Sequence, residues 1–125
     1  MTAPGWLTAA VADFGRAAGL ETLALNNNGA AALRFENGSS LRLEYTGGEL
    51  VIAMTAHSGD VRRLLSISHP NARFGFRIRT GILPKSGEAI IAIRLSEREA
   101  TLAQMNAAFA VLWRLAGEIG GGAWA

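Results

Sequence analysis

From Leu33 to Met54 the chain alternates apolar and polar residues and is cut twice by two-residue turn signals. Leu33 and Phe35 alternate with Arg34 and Glu36, and Asn37-Gly38 follows. Leu41, Leu43 and Tyr45 alternate with Arg42 and Glu44, and Gly47-Gly48 follows before Leu50, Ile52 and Met54. A period of two puts every second side chain on one face, and Asn-Gly or Gly-Gly between such runs favours tight hairpins. The expectation is an antiparallel β-meander with one buried face and one face carrying Arg34, Glu36, Arg42 and Glu44. Upstream, Leu23 and Leu25 before Asn26-Asn-Asn-Gly29 read as a further short strand.

Helical periodicity flanks this meander. Leu7, Ala10, Val11, Phe14 and Ala18 form one stripe, which predicts a helix over residues 3–18 with Gly19 as its stop. Val11 and Phe14 read as core, whereas Trp6 and Leu7 lie near an end where partial exposure is expected. After His57-Ser58-Gly59, Asp60 or Ser58 can cap a short helix with Val61, Leu64 and Leu65 on its apolar side, ended by Pro70. Phe74, Phe76 and Ile78 then alternate with Arg73, Arg77 and Arg79, and residues 81–87 form a loop. The strand from Ala89 to Leu95 is apolar on both faces, as an interior strand or an interface requires. Ser96-Glu-Arg-Glu99 reads as a capping box opening a long last helix. Its stripe is Leu102, Met105, Phe109, Leu112, Ala116 and Ile119, widened by Trp113. The fold class is α+β, with helices packed on a twisted antiparallel sheet. Residues 1–125 read as a single domain, with 120–125 as a loose tail.

Half of the 125 residues are hydrophobic and 18% are charged, which suits one globular core. The chain has no cysteine, so disulfide and thiolate chemistry are excluded. No apolar run is long enough to cross a bilayer, and no basic-then-apolar leader opens the chain. The simplest expected location is the cytoplasm. Eleven arginines and one lysine face ten acids, giving a net charge of +2 and a pI near 9.9. So small an excess argues against strong non-specific binding to nucleic acid.

Motifs that carry catalysis are missing. A zinc site needs three or four suitable side chains, and with only two histidines, His57 and His69, a His-rich or Cys-containing cluster is absent. His57, Ser58 and Asp60 contain triad residue types, but adjacency in sequence is not triad geometry, and a loop with a helix cap explains them better. Phosphate-binding glycine motifs are absent, and Glu97 and Glu99 suit a helix N-terminus without chemistry. No cofactor or metal is expected, and the chain does not read as an enzyme. The row Arg73, Arg77 and Arg79 reads as a solvated face, since no exposed aromatics interleave with it. The other reading of that row is an anion surface.

The order helix, meander, short helix, two strands, long helix joins several local features. They are Ala18-Gly19-Leu20, Leu23-Ala-Leu25, Asn28-Gly29 and Leu33-Arg-Phe35. The hairpin from Leu41 to Met54 and Leu64-Leu65 ahead of Phe74-Gly-Phe76 follow, and Ile90 to Leu95 feeds a helix with Phe109 and Trp113. Together they resemble the CesT/SycE-like family of type III secretion chaperones over nearly the whole chain. This chain departs from the family in its basic pI and in Ser66-Ile-Ser-His-Pro70, where small residues are usual.

The resemblance implies a non-catalytic cytoplasmic bacterial homodimer, associated with virulence. It implies binding of the N-terminal segment of a secreted effector, held partly unfolded, with the secretion ATPase as a further partner. Trp6, Leu7, Leu23, Leu33 and Leu43 are the candidates for effector binding, with core packing as the competing role, above all for Leu33 and Leu43. Leu64, Leu65, Phe74, Phe76 and Ile78 are the candidates for the dimer interface, with monomer core as the competing role for Phe76 and Ile78. Two alternatives stand beside this reading. One is a nucleic-acid module using Arg73, Arg77, Arg79 and Arg94. The other is an adaptor of similar topology unrelated to secretion.

Overall fold

The computed structural model describes residues 3–20, 23–35, 39–56, 78–83 and 87–119. Helix α1 spans Gly5–Ala17, with Pro4 at its N-cap. Leu7, Val11 and Phe14 are its buried stripe. It ends in a Schellman motif: the Leu20 N–H donates to Gly15 O at 2.6 Å and the Gly19 N–H to Arg16 O at 3.2 Å. Gly19 takes φ 77°, a left-handed value that glycine adopts without a Cβ penalty.

Residues 23–25 are not a strand, contrary to the sequence expectation. Leu23 and Leu25 are buried as the alternation requires. The chain between them pairs with no strand, however, because it is spent returning from α1 to the sheet. Asn26 then organises the entry. Its Oδ1 accepts from the N–H groups of Asn28 (2.8 Å) and Ala30 (3.1 Å), and its own N–H donates to Ala30 O.

Among the described residues the sheet has five antiparallel strands in the order β1-β2-β3-β5-β4. They are β1 (Ala30–Arg34), β2 (Ser40–Thr46), β3 (Glu49–Ala56), β4 (Ile78–Ile82) and β5 (Ala89–Ser96). Gly47 and Gly48 both have positive φ, as a type I′ turn between β2 and β3 demands. The doubly apolar β5 lies between β3 and β4, the interior place its composition called for. The strand before it runs on through Gly81 and Ile82, so the hairpin loop is shorter than residues 81–87.

Register sorts the two faces. Leu41, Met54 and Ile91 form one row, and Leu43, Ile52, Ile93 and Ile78 the next. Tyr45, Leu50 and Leu95 form the third. All of these are buried. On the opposite face Ala32, Arg42, Ala53, Ala92 and Arg79 lie in one row. A one-residue slip would exchange the faces, so the pattern fixes the register.

Helix α2 (Leu102–Ile119) packs on β3 and β5, and α1 packs on α2. Its cap is Thr101, whose Oγ1 accepts from the Gln104 N–H at 3.2 Å. Ser96 therefore does not open the helix. It ends β5, and its N–H donates to Glu99 Oε1 at 3.1 Å, which keeps half of the expected capping box inside a turn. That bond, with the Ser96 side chain, lowers the Glu99 pKa. Met105, Ala108, Leu112, Leu115 and Ala116 are buried, while Leu102, in the first turn ahead of the sheet's cover, is exposed. Tyr45 Oη donates to Glu97, and this hydrogen bond, then burial and the carboxylate charge, raise the tyrosine pKa. The expected helix before Pro70, the residues Glu36 to Gly38 and the tail 120–125 lie outside the described residues.

Candidate functional site

Where the end of α1 meets the end of β1 and the middle of α2, the surface opens into an apolar groove of about 420 Å³. Ala18 and Leu20 form one wall, Phe35 the sheet side, and Phe109, Ala110 and Trp113 the floor from α2. Spacing on α2 explains the floor: Phe109 and Trp113 are four residues apart and so share a helix face. The aromatic rings support one another. Phe35 meets Trp113 edge-on with centroids 5.1 Å apart, and Phe14 meets Phe109 the same way at 5.7 Å. Such pairs hold rings in place beyond what burial alone supplies. Phe35, Phe109 and Trp113 are only half-buried, so the groove presents ring surface to solvent.

Strand β1 ends beside this groove and forms one edge of the sheet. Its hydrogen-bonding phase follows from four bonds. Gly29 O accepts from the Tyr45 N–H, and the Phe35 N–H donates to Ser39 O, so those residues face β2. Ala30 instead bonds Asn26 through both its N–H and its C=O, so it faces away from β2. Antiparallel ladders alternate, and so the backbone groups of Ala32 and Arg34 also face away from β2. No further strand pairs with β1 among the described residues. Asn26 thus closes one end of the edge, and Ala32 and Arg34 leave two donors and two acceptors along the rest. Apolar groove and unpaired backbone lie side by side, the combination by which an extended polypeptide is held.

The sequence-named residues separate by burial. Trp6 is 51% exposed, but it sits twelve residues before Ala18, about 18 Å along a helix, and so is not part of the groove. Leu33 is half-buried on β1, on the same strand face as Phe35. Leu7, Leu23 and Leu43 are at most 3% exposed and belong to the core. The expected partial exposure of Leu7 does not occur, because the i, i+4, i+7 stripe turns it under α1 with Val11 and Phe14. Ile78 is also core, paired across to Ile93. Leu64, Leu65, Phe74 and Phe76 lie outside the described residues, as do Arg73, Arg77, His57 and His69. Arg79 and Arg94 are exposed on the sheet's outer face, and Arg94 Nη1 stands 3.5 Å from Glu49 Oε1. Among the described residues no three His, Cys, Asp or Glu side chains are placed to hold a metal ion. Likewise, no helix among them is long and apolar enough to cross a membrane.

Sequence reasoning passed over Ala18, Leu20, Phe35 and Ala110 as site residues. The signal that could have found the groove was the pair Phe109 and Trp113, more aromatic surface than one helix stripe needs.

Several solved structures share this fold. In the ExsC–ExsE complex, a chain 21% identical superposes with a TM-score of 0.78, covering 97% of this chain and 96% of that one. The Yersinia pestis type III secretion chaperone SycH, in complex with a stable fragment of YscM2, is 18% identical with a TM-score of 0.69, covering 90% and 98%. The ExoT–SpcS complex from Pseudomonas aeruginosa contains a chain 16% identical with a TM-score of 0.71, covering 94% and 99%. No curated protein sequence matches this chain. The sequence profile of the family described as type III secretory system chaperone SycN matches residues 6–120. With nearly its whole length inside that profile, and with the helices-on-sheet architecture of secretion chaperones, this chain belongs to the type III secretory system chaperone SycN family.

Proposed function

We propose that this chaperone binds the N-terminal segment of a secreted effector as an extended chain, laid along the open edge of β1 with apolar side chains in the adjoining groove. It holds that segment partly unfolded for export. The observation that carries the reading is the juxtaposition of the unpaired backbone of Ala32 and Arg34 with the groove lined by Leu20, Phe35, Phe109 and Trp113. The solved relatives ExsC–ExsE and ExoT–SpcS are complexes of two proteins, which supports a protein client. Leu33 and Trp6 remain client contacts in this reading, Leu33 on β1 itself and Trp6 further along α1. Leu7, Leu23 and Leu43 support the surface from beneath.

The working unit is a bacterial cytoplasmic homodimer without catalytic activity, which delivers its client to the secretion ATPase. Leu64, Leu65, Phe74 and Phe76 are the interface candidates. Exposed Ile82, 48% accessible on edge strand β4, supports an apolar contact at that side of the sheet.

Ala32→Pro tests the client mode. Proline removes an N–H that faces away from β2 and is tolerated on sheet edges, so the fold should survive. Titration with an N-terminal effector segment from the same genome should show binding by the parent protein and at least about tenfold weaker binding by the variant, as loss of a buried hydrogen bond implies. Equal affinity in a folded Ala32→Pro protein would refute edge pairing.

A further inference from the structure

The outer side of β1 carries a charge arrangement that the groove does not explain. Ala30, Ala32 and Arg34 point to that face, and behind Ala32 on β2 stands Arg42. Arg34 and Arg42 are both exposed. The ion pairs among the described residues are Arg16 with Asp13 and Arg94 with Glu49, and neither Arg34 nor Arg42 joins a carboxylate there. Glu44 is the nearest acid on β2, but it stands opposite Ala30, at the end that Asn26 closes.

We infer that the client segment alternates apolar residues with acidic ones, its carboxylates lying over Ala32 between Arg34 and Arg42. This rests on the proposed binding mode and adds the chemistry of its partner. The geometry is set by the sheet. A strand added to β1 lies about 4.8 Å beyond it and alternates its side chains between the two faces. On the helix side those side chains meet the groove of Leu20, Phe35 and Trp113. On the other side they meet a methyl group at Ala32, low enough for the long Arg42 side chain to extend across it. A carboxylate there finds two guanidiniums, and guanidinium binds carboxylate through paired donors. An amine in the same place meets two like charges, and the nearest acid on β2, Glu44, stands one pair further along, opposite Ala30. The basic balance of the chain is in this way focused on one position of the client, so charge selects register as well as partner.

The test uses two short capped peptides, valine alternating with aspartate and valine alternating with lysine, beside the effector segment as reference. Binding by fluorescence anisotropy at low salt is compared for the parent, Arg34→Glu and Arg98→Glu, the last making the same change of net charge in the exposed turn before α2. The expected result is a roughly two- to fivefold preference of the parent for the aspartate peptide, the range exposed charge pairs reach. Arg34→Glu should abolish or invert that preference, Arg98→Glu should keep it, and added salt should shrink it. Equal binding of both peptides, or equal effects of Arg34→Glu and Arg98→Glu, overturns the inference. If the effector segment binds while neither peptide does, the inference falls and the proposed function stands. If neither the segment nor any peptide binds, both fall.

Discussion

Gly15→Ala should weaken this protein, although the same change elsewhere in a helix usually strengthens one. In an exposed helix interior, alanine is worth roughly 1 kcal/mol over glycine. Gly15 is buried in α1, where the chain doubles back beneath it. A Cβ built there lies 2.7 Å from Leu20 O, 3.2 Å from Leu23 Cβ and 3.3 Å from Leu23 O. The nearest obstacle is a backbone carbonyl, already tied down by the Leu23 N–H at 3.0 Å, so no side-chain rotation relieves the contact. Moving it also strains the Leu20 N–H bond to Gly15 O that closes the Schellman motif. Overpacking of this kind costs about 1–3 kcal/mol. Since the obstacle is a backbone carbonyl, the cost lies in the upper part of that range, about 2–3 kcal/mol, and after the propensity gain the net loss is about 1–2 kcal/mol, or roughly 3–10 °C in melting temperature for a domain of this size. Gly5→Ala is the control, since its Cβ meets nothing within 4 Å. Thermal unfolding followed by circular dichroism should rank Gly5→Ala at or above the parent and Gly15→Ala clearly below. Because Leu20 lines the groove, client affinity should fall as well. A Gly15→Ala protein as stable as the parent would refute the close-approach argument.

Tyr45 is the sole tyrosine, so tyrosinate absorbance reports it alone. Its midpoint should lie above the ordinary 10.0, and Glu97→Gln, which removes the carboxylate charge, should lower it. An unchanged midpoint in Glu97→Gln would contradict the pairing. Leu7→Asp should unfold the protein, since burying an uncompensated carboxylate costs several kcal/mol, whereas Trp6→Asp should leave the melting temperature nearly unchanged. Similar stabilities for the two would contradict their assigned places. Light scattering at micromolar concentration should give the mass of two chains, and a monomer mass would remove the dimer from the account.

Most of the architecture was legible because two periodicities ran through the sequence undisturbed. The meander was readable from Leu41-Arg-Leu-Glu-Tyr45 and the glycine pair after it, and β5 from its two apolar faces. Local signals misled where tertiary geometry decided. Leu23 and Leu25 alternate like a strand but only line a return from α1. Ser96-Glu-Arg-Glu99 has the spacing of a capping box, yet the sheet claims Ser96 and Thr101 caps the helix. The client surface was the least legible part. Leucines attract attention in a sequence, but Leu7, Leu23 and Leu43 are what the sheet and helices bury first. The groove is built from residues 15 to 93 positions apart, Leu20, Phe35 and Trp113, and its neighbour is a backbone edge, which no side-chain pattern announces.

Amide hydrogen exchange at Ala32 and Arg34 tests the central claim most directly. Both N–H groups face away from β2, so in the free protein they should exchange faster than those of Ala31 and Leu33, which pair with β2. A saturating effector segment should slow Ala32 and Arg34 together, since an added strand would take both donors at once. If they exchange as fast with the client bound as without it, the client does not pair with β1.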